Sequence, residues 1–133
     1  MPDLTISTTA KSEVIDITDR VQQVAESAGL EDGVVHLSVA HTTAALSTAD
    51  LDPGTDQDLL EAYRALVPEL DYRHPHDPSH VGDHILSSLI GTSESVPVRS
   101  GKLVLGTWQR VVLYEFDGPR ERTVVVTTLP VKA

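Results

Sequence analysis

The chain has 133 residues and a mass of 14.4 kDa, enough for one self-sufficient core and too little for two sizeable domains. Hydrophobic residues at 40% and charged residues at 23% exclude wholesale disorder, and the absence of cysteine removes disulfides, thiolate metal sites and cysteine nucleophiles. A net charge of −10 opposes nonspecific binding to nucleic acid or an anionic membrane, and no apolar run approaches the ~18 residues of a membrane helix.

In chain order, the opening Met1–Leu4 lacks a basic and apolar leader, so a soluble cytoplasmic protein is the default. Residues Thr18–Ala28 then read as a helix, with Val21, Val24, Ala25 and Ala28 on one stripe, Thr18 or Asp19 as cap and Gly29 after its end. Gly33–His41 reads as a strand with Val35, Leu37, Val39 and His41 on one face. Thr55–Val67 is a second helix whose Asp56 and Asp58 favour the positive end of its dipole. Its stripe is Leu59, Leu60, Tyr63, Leu66 and Val67, and Pro68 stops it. Glu69–Ser79 is a loop, Ser79–Ile90 a third helix ended by Gly91, and the remainder is β-rich. The strands expected there are Val96–Val98, Leu103–Thr107, Arg110–Phe116 and Thr123–Leu129, with Asp117–Arg120 as the last turn. Gly101 and Gly118 are expected to be turn glycines with positive φ. No linker or repeat divides the chain, which predicts a single α+β domain over residues 1–133.

Charge is distributed unevenly. Residues 1–94 carry 17 acidic side chains against four basic ones, whereas residues 95–133 carry three against six. The basic remainder (Arg99, Lys102, Arg110, Arg120, Arg122) is read either as a small-anion site or as scattered surface charge.

Four of the six histidines fall in His74-Pro-His76-Asp-Pro-Ser-His80-Val-Gly-Asp-His84. His80 and His84 stand at i and i+4, a spacing that lets two imidazoles reach one ion. His84 shares a stripe with Val81, Ile85 and Leu89, and His41 ends an apolar strand face, so both are expected to point inward. Inward histidines from two elements beside a His-rich loop suit zinc or a similar divalent ion. His36, on the opposite strand face, reads as an ordinary hydrogen-bonded histidine, and His80 either joins the site or faces solvent. No HExxH, P-loop, GxGxxG or GxSxG pattern is present.

The strings His41-Thr42-Thr43-Ala44-Ala45-Leu46, Ser93–Gln109 with its Gly106-Thr107-Trp108-Gln109, and Glu115-Phe116-Asp117-Gly118-Pro119-Arg120 carry a close resemblance to the YjbQ family, the so-called secondary thiamine-phosphate synthases. The motifs run in order from His41 to Arg120. The resemblance implies a compact α+β fold with a mixed sheet and about three helices, assembled as a homotrimer. It also implies a histidine-lined site, with His41, His76 and His84 as metal ligands for zinc or magnesium. Catalytic roles fall on His41, His84, Glu115 and Asp117, and contacts to a small phosphorylated metabolite on Arg120, Trp108, Gln109 and Thr42. The chain departs from the family where Ala49-Asp50 replace an Asn-Glu pair and where His80 replaces an asparagine.

Three functions follow as expectations. The first joins a hydroxymethylpyrimidine diphosphate to a thiazole phosphate with release of diphosphate, which needs cationic help for the leaving group. The second is a metal-dependent hydrolase using a three-histidine site with Glu115 or Asp50 as base. The third is a non-enzymatic trimer that binds a metabolite or metal.

Overall fold

Alternating apolar and polar residues build most of the molecule, described for residues 3–75 and 78–132 in a computed structural model. In chain order the elements are β1 (Leu4–Ser7), β2 (Glu13–Asp16), α1 (Thr18–Ser27), β3 (Gly33–Val39), β4 (Ala44–Ala49), α2 (Thr55–Ala65), α3 (Val81–Ile90), β5 (Ser93–Arg99), β6 (Lys102–Leu103), β7 (Arg110–Glu115) and β8 (Glu121–Pro130). One sheet has the order β1-β8-β3-β5-β6 and the other β2-β7-β4. Among the described residues every pairing is antiparallel, so the mixed sheet implied by the resemblance gives way to two antiparallel ones. The α+β class and the three α-helices stand as expected.

The sheets face each other across a core of Val35, Leu37, Val39, Val96, Val98, Val124 and Val126 from one side and Leu46, Val111 and Leu113 from the other. Helix α1 adds Val21, Val24 and Ala25 to it. Strand β7 is buried on both faces, because Val112 and Tyr114, with Phe116 just beyond, point away from that core to meet Leu60 of α2 and Leu86 of α3. Period-2 alternation thus makes β7 the wall shared by two cores.

Helix α1 ends as expected. Gly29 has φ +66°, and the N–H groups of Gly29 and Leu30 return to the carbonyls of Glu26 and Ala25. Its start differs: Ile17 holds the cap position, and the Asp16 carboxylate accepts from the Thr18 N–H at 3.0 Å. Strands β1, β2 and β4 were not expected. Of the Leu103–Thr107 segment only Leu103 pairs, as the end of β6, and β3 stops at Val39, leaving His41 in the connection beyond it. Leu66 is 64% exposed and Leu89 57%, so neither belongs to the buried stripe expected of it. The inward face of α3 is instead Asp83, Leu86 and Ser87, with the Ser87 hydroxyl donating to the Ala44 carbonyl at 2.6 Å.

Gly101 has the expected positive φ, +77°. Gly118 does not. It is a glycine because an added Cβ would lie 2.2 Å from the Ala10 carbonyl oxygen and 2.8 Å from Glu115 Cγ.

Candidate functional site

The alternation that fills the inter-sheet core also carries two charges into it. Glu115 continues the Val111–Leu113 face of β7, and Arg122 begins the Val124–Val126 face of β8. They meet between the sheets, both essentially without solvent exposure. Arg122 Nε donates to Glu115 Oε1 at 2.9 Å, and Nη2 donates to Glu115 Oε2 and to Thr43 Oγ1 at 2.8 Å. Glu115 also accepts from the Thr8 hydroxyl at 2.7 Å and from the Asp117 N–H at 3.1 Å. Burial alone would raise the Glu115 carboxyl, but these donors and the Arg122 charge outweigh it and hold the group below its ordinary value of 4.5.

The third nitrogen of Arg122 is different. Among the described residues none accepts from Nη1, and this atom is not sealed from solvent. Arg122 lines a cleft of about 730 Å³ together with His41, Thr42, Thr43, His84, Asp117, Arg120 and Glu121. The floor of that cleft is therefore a guanidinium fixed on two of its nitrogens and available on the third.

His41 stands in the wall. Its Nε2 accepts the Thr123 N–H at 2.9 Å, so the ring is neutral, with its proton on Nδ1. Burial and the charge of Arg122 agree with this, lowering the His41 pKa below 6.5. Arg120 is held at the mouth by Asp117, its Nε donating to the Asp117 carbonyl at 2.7 Å and Nη2 to Oδ2 at 3.1 Å. Behind it lies a knot of charge. Lys11 Nζ donates to Asp83 Oδ2 and to Asp117 Oδ1, each at 2.8 Å, and Arg64 Nη1 donates to the other oxygen of Asp83 at 2.5 Å. Burial would raise the Asp117 carboxyl, yet the bonds from Lys11 and Arg120 bring it below 3.8. The His84 ring stacks on that of His74, with centroids 5.0 Å apart.

The structure thus brings His41, Thr42, His84, Asp117 and Arg120 to one cleft. Glu115 lies beneath it and does not form part of its lining, so it positions Arg122 and offers no catalytic carboxylate. Trp108 and Gln109 are elsewhere. Trp108 borders a smaller cavity of about 210 Å³ with Asp16, Asp50, Asp52 and Arg110, where the Ala49-Asp50 departure also falls. Gln109 pins the Gly106–Gln109 loop, accepting from the Gly106 N–H at 2.7 Å and donating to Thr48 Oγ1 at 3.1 Å. The sequence offers Arg122 only as one of five basic residues suited to a small anion and does not single it out. Its signal was a cation in phase with Val124 and Val126 on the buried face of a strand.

Of the expected metal ligands, His41 does not fit. His41 spends its accepting nitrogen on Thr123, and His76 lies outside the described residues. The group of potential ligands that does converge among the described residues is His80, Asp83 and Asp117, within 4.8 Å of one another. There the Lys11 ammonium stands 2.8 Å from both carboxylates, in a cation's position. Among the described residues no helix is long and apolar enough to cross a membrane.

Comparison with known proteins is consistent over nearly the whole chain. Residues 2–131 match the family described as UPF0047 protein YjbQ-like. A UPF0047 protein of Archaeoglobus fulgidus is 44% identical over 128 residues, covering 96% of this chain and 99% of the relative. The UPF0047 protein YugU of Bacillus subtilis is 36% identical, covering 92% and 94%. Among solved structures, a YbjQ-like protein of unknown function from Sulfolobus solfataricus superposes with a TM-score of 0.91 at 36% identity, over 98% of this chain and 96% of that one.

Proposed function

The chain belongs to the YjbQ-like UPF0047 family, and from that premise and the chemistry of the cleft we propose that it binds a small phosphorylated metabolite on Arg122 and acts as a thiamine-phosphate synthase-like transferase. The observation that carries this reading is the Arg122 guanidinium, 2% exposed and tied through Nε and Nη2, with Nη1 left for a ligand in the cleft.

In this reaction the ring nitrogen of a thiazole phosphate gives its lone pair to the methylene carbon of a hydroxymethylpyrimidine diphosphate. The carbon–oxygen bond breaks and its electron pair leaves with the diphosphate. The attacking nitrogen carries no proton, so no base is required. What requires help is the charge that grows on the leaving oxygens and the alignment of the two rings. Arg122 Nη1, Arg120 and the His41 Nδ1–H are donors suited to that charge, already oriented by Glu115, Asp117 and the Thr123 N–H. Thr42 stands at the rim and His84 in the wall. The accepting nitrogen of His41 is spent on Thr123, so this reading routes no step through a metal. The homotrimer implied by the resemblance belongs to this proposal too.

The test is calorimetric titration with inorganic diphosphate, followed by incubation with both thiamine precursors and detection of thiamine phosphate. Wild type should bind diphosphate and form product, whereas Arg120→Gln and Arg122→Lys should each weaken binding at least about tenfold. Diphosphate affinity unchanged in both variants would reject the reading.

A further inference from the structure

Behind Arg120 two carboxylates are drawn almost out of water and toward each other. Asp83 comes from the inward face of α3 and Asp117 follows β7, with side chains 5% and 14% exposed. Their outer oxygens have partners of their own, Asp83 Oδ1 accepting from Arg64 and Asp117 Oδ2 from Arg120. The inner oxygens, Asp83 Oδ2 and Asp117 Oδ1, face one shared point. Lys11 Nζ lies there, 2.8 Å from each, and His80 Nδ1 stands 3.4 and 3.2 Å from the same two atoms. Carboxylates held this close repel unless a positive charge lies between them.

One imidazole nitrogen and two carboxylate oxygens are the donor set of a zinc-class divalent cation. In a tetrahedral shell with bonds of about 2.0–2.1 Å, ligand atoms stand roughly 3.3–3.4 Å apart. His80 Nδ1 already has that spacing to both carboxylates. The charge that fills the place is the chain's own. Lys11 lies in the connection between β1 and β2, where its carbonyl accepts from the Gly118 N–H at 3.0 Å and fixes it beside Asp117. Burial would lower the ammonium, but the bonds from Asp117 and Asp83 outweigh it and hold the group above its ordinary 10.5, so it is charged throughout the neutral range. The Lys11 side chain is 54% exposed, so it supplies a charge at a point and little packing.

We propose that Lys11 takes the place of a divalent cation in the His80–Asp83–Asp117 set and, through Asp117, positions Arg120 for an anion in the cleft. Asp117 connects the two, with Oδ1 on Lys11 and Oδ2 on Arg120 Nη2 at 3.1 Å. The ammonium holds the inner oxygen, which fixes the rotation of the carboxylate and so the direction of its outer oxygen. Without it the inner oxygens repel, Asp117 turns, and Arg120 keeps only its bond to the Asp117 carbonyl. Lys11 is thus a positioning residue and touches no ligand itself. Its effect on Arg120 rests on the reading that the cleft binds a phosphorylated metabolite, whereas its occupation of a cation's place does not.

Removing the ammonium should open the donor set to an added ion. Titrated with Co²⁺, Lys11→Ala should develop visible absorption beyond that of wild type, bleached by excess Zn²⁺ and lost when His80→Asn is added. In calorimetry with inorganic diphosphate, Lys11→Ala should bind about three- to tenfold more weakly, whereas Lys11→Arg, which keeps the charge, should bind nearly as wild type does. Co²⁺ should then return Lys11→Ala to within about twofold of wild type titrated in the same buffer, a comparison that cancels capture of cobalt by diphosphate itself. A residue needed only for folding would be rescued by Lys11→Arg but not by cobalt. Should Lys11→Ala fold poorly, Lys11→Gln keeps a donor without the charge and should show the same cobalt absorption and the same rescue. No added absorption in either variant overturns the cation's place, and unchanged diphosphate affinity in Lys11→Ala overturns the positioning of Arg120. Should Arg120→Gln and Arg122→Lys both leave diphosphate affinity unchanged, the ligand assignment of the cleft falls instead, and the cobalt absorption of Lys11→Ala still decides whether Lys11 fills a cation's place.

Discussion

Two arginines meet carboxylates at opposite ends of β7, Arg110 at its start and Arg122 of β8 against Glu115 at its end, and burial gives them different roles. Arg122 and Glu115 are shut between the sheets, where each unpaired polar group is expensive, so Thr8, Thr43 and the Asp117 N–H are all drawn in to satisfy them. Arg110 meets Asp16 at 2.7 Å and Asp19 at 3.4 Å with more than a third of its side chain in water, where little depends on the contact. The buried pair therefore holds a donor rigidly toward a cleft, whereas the exposed pair only fastens a surface. A guanidinium becomes a binding device when its surroundings have fixed every nitrogen but one.

The sharpest way to break this comparison is to remove Arg122. Arg122→Met leaves the Glu115 charge buried without its partner and should cost about 3–5 kcal/mol in urea denaturation. Adding Glu115→Gln removes the orphaned charge and should restore much of that loss, yet diphosphate binding should stay abolished. If the double variant bound diphosphate as wild type does, Arg122 would be structural only.

Gly118 comes next, because its backbone runs against the same pair. Gly118→Ala drives a Cβ to 2.2 Å from the Ala10 carbonyl oxygen and 2.8 Å from Glu115 Cγ, and should destabilise by about 1–3 kcal/mol or more. At Gly101 the nearest atom to an added Cβ is 3.9 Å away, so Gly101→Ala should cost only the roughly 1–2 kcal/mol of its positive φ. Thermal melts of the two variants separate crowding from conformation.

These glycines illustrate what the sequence could convey. Local geometry was legible: Gly29 and Gly101 fall where the chain takes a positive φ, and the alternation through β3 puts Val35, Leu37 and Val39 in the core. Gly118 was legible as important but for the wrong reason, since its crowding comes from Ala10, more than a hundred residues away. The helices show the same boundary. Spacing says which residues share a stripe, but α3 has two candidate stripes, one with Ile85 and Leu89 and one with Asp83 and Leu86. The polar-looking stripe is buried because Lys11, Arg64 and the Ala44 carbonyl partner Asp83 and Ser87, and those partners are distant in the chain. The site divides likewise. Motifs single out His41, Asp117 and Arg120, which line one cleft with His84, whereas Arg122 needs the opposing face of another strand to explain its charge.

A smaller effect should appear with pH. The folded chain keeps His41 below 6.5 and Glu115 below 4.5, so in both windows it binds fewer protons than the unfolded chain. Stability therefore falls as pH falls. The His41 contribution is full above 6.5 and is lost as the pH drops through its lowered folded value, and that of Glu115 behaves the same way from 4.5 downward. His41→Gln should flatten the stability profile just below pH 6.5 in urea titrations, leaving the Glu115 acid limb intact.

The exposed pair should give the smallest change of all. Arg110→Gln removes both its ion pairs without touching the core, and surface pairs of this kind contribute about 0.2–1 kcal/mol. The loss should shrink at 1 M salt, where the screening length falls to about 3 Å. Asp16→Ala should cost more than Arg110→Gln, because the Asp16 carboxylate also accepts from the N–H and hydroxyl of Thr18 at the start of α1. The order Arg122 far above Asp16, and Asp16 above Arg110, is what burial and hydrogen-bond satisfaction require. An Arg110→Gln protein as unstable as Arg122→Met would mean that the ion pair itself, and not its burial, sets the energy at both ends of the sheet.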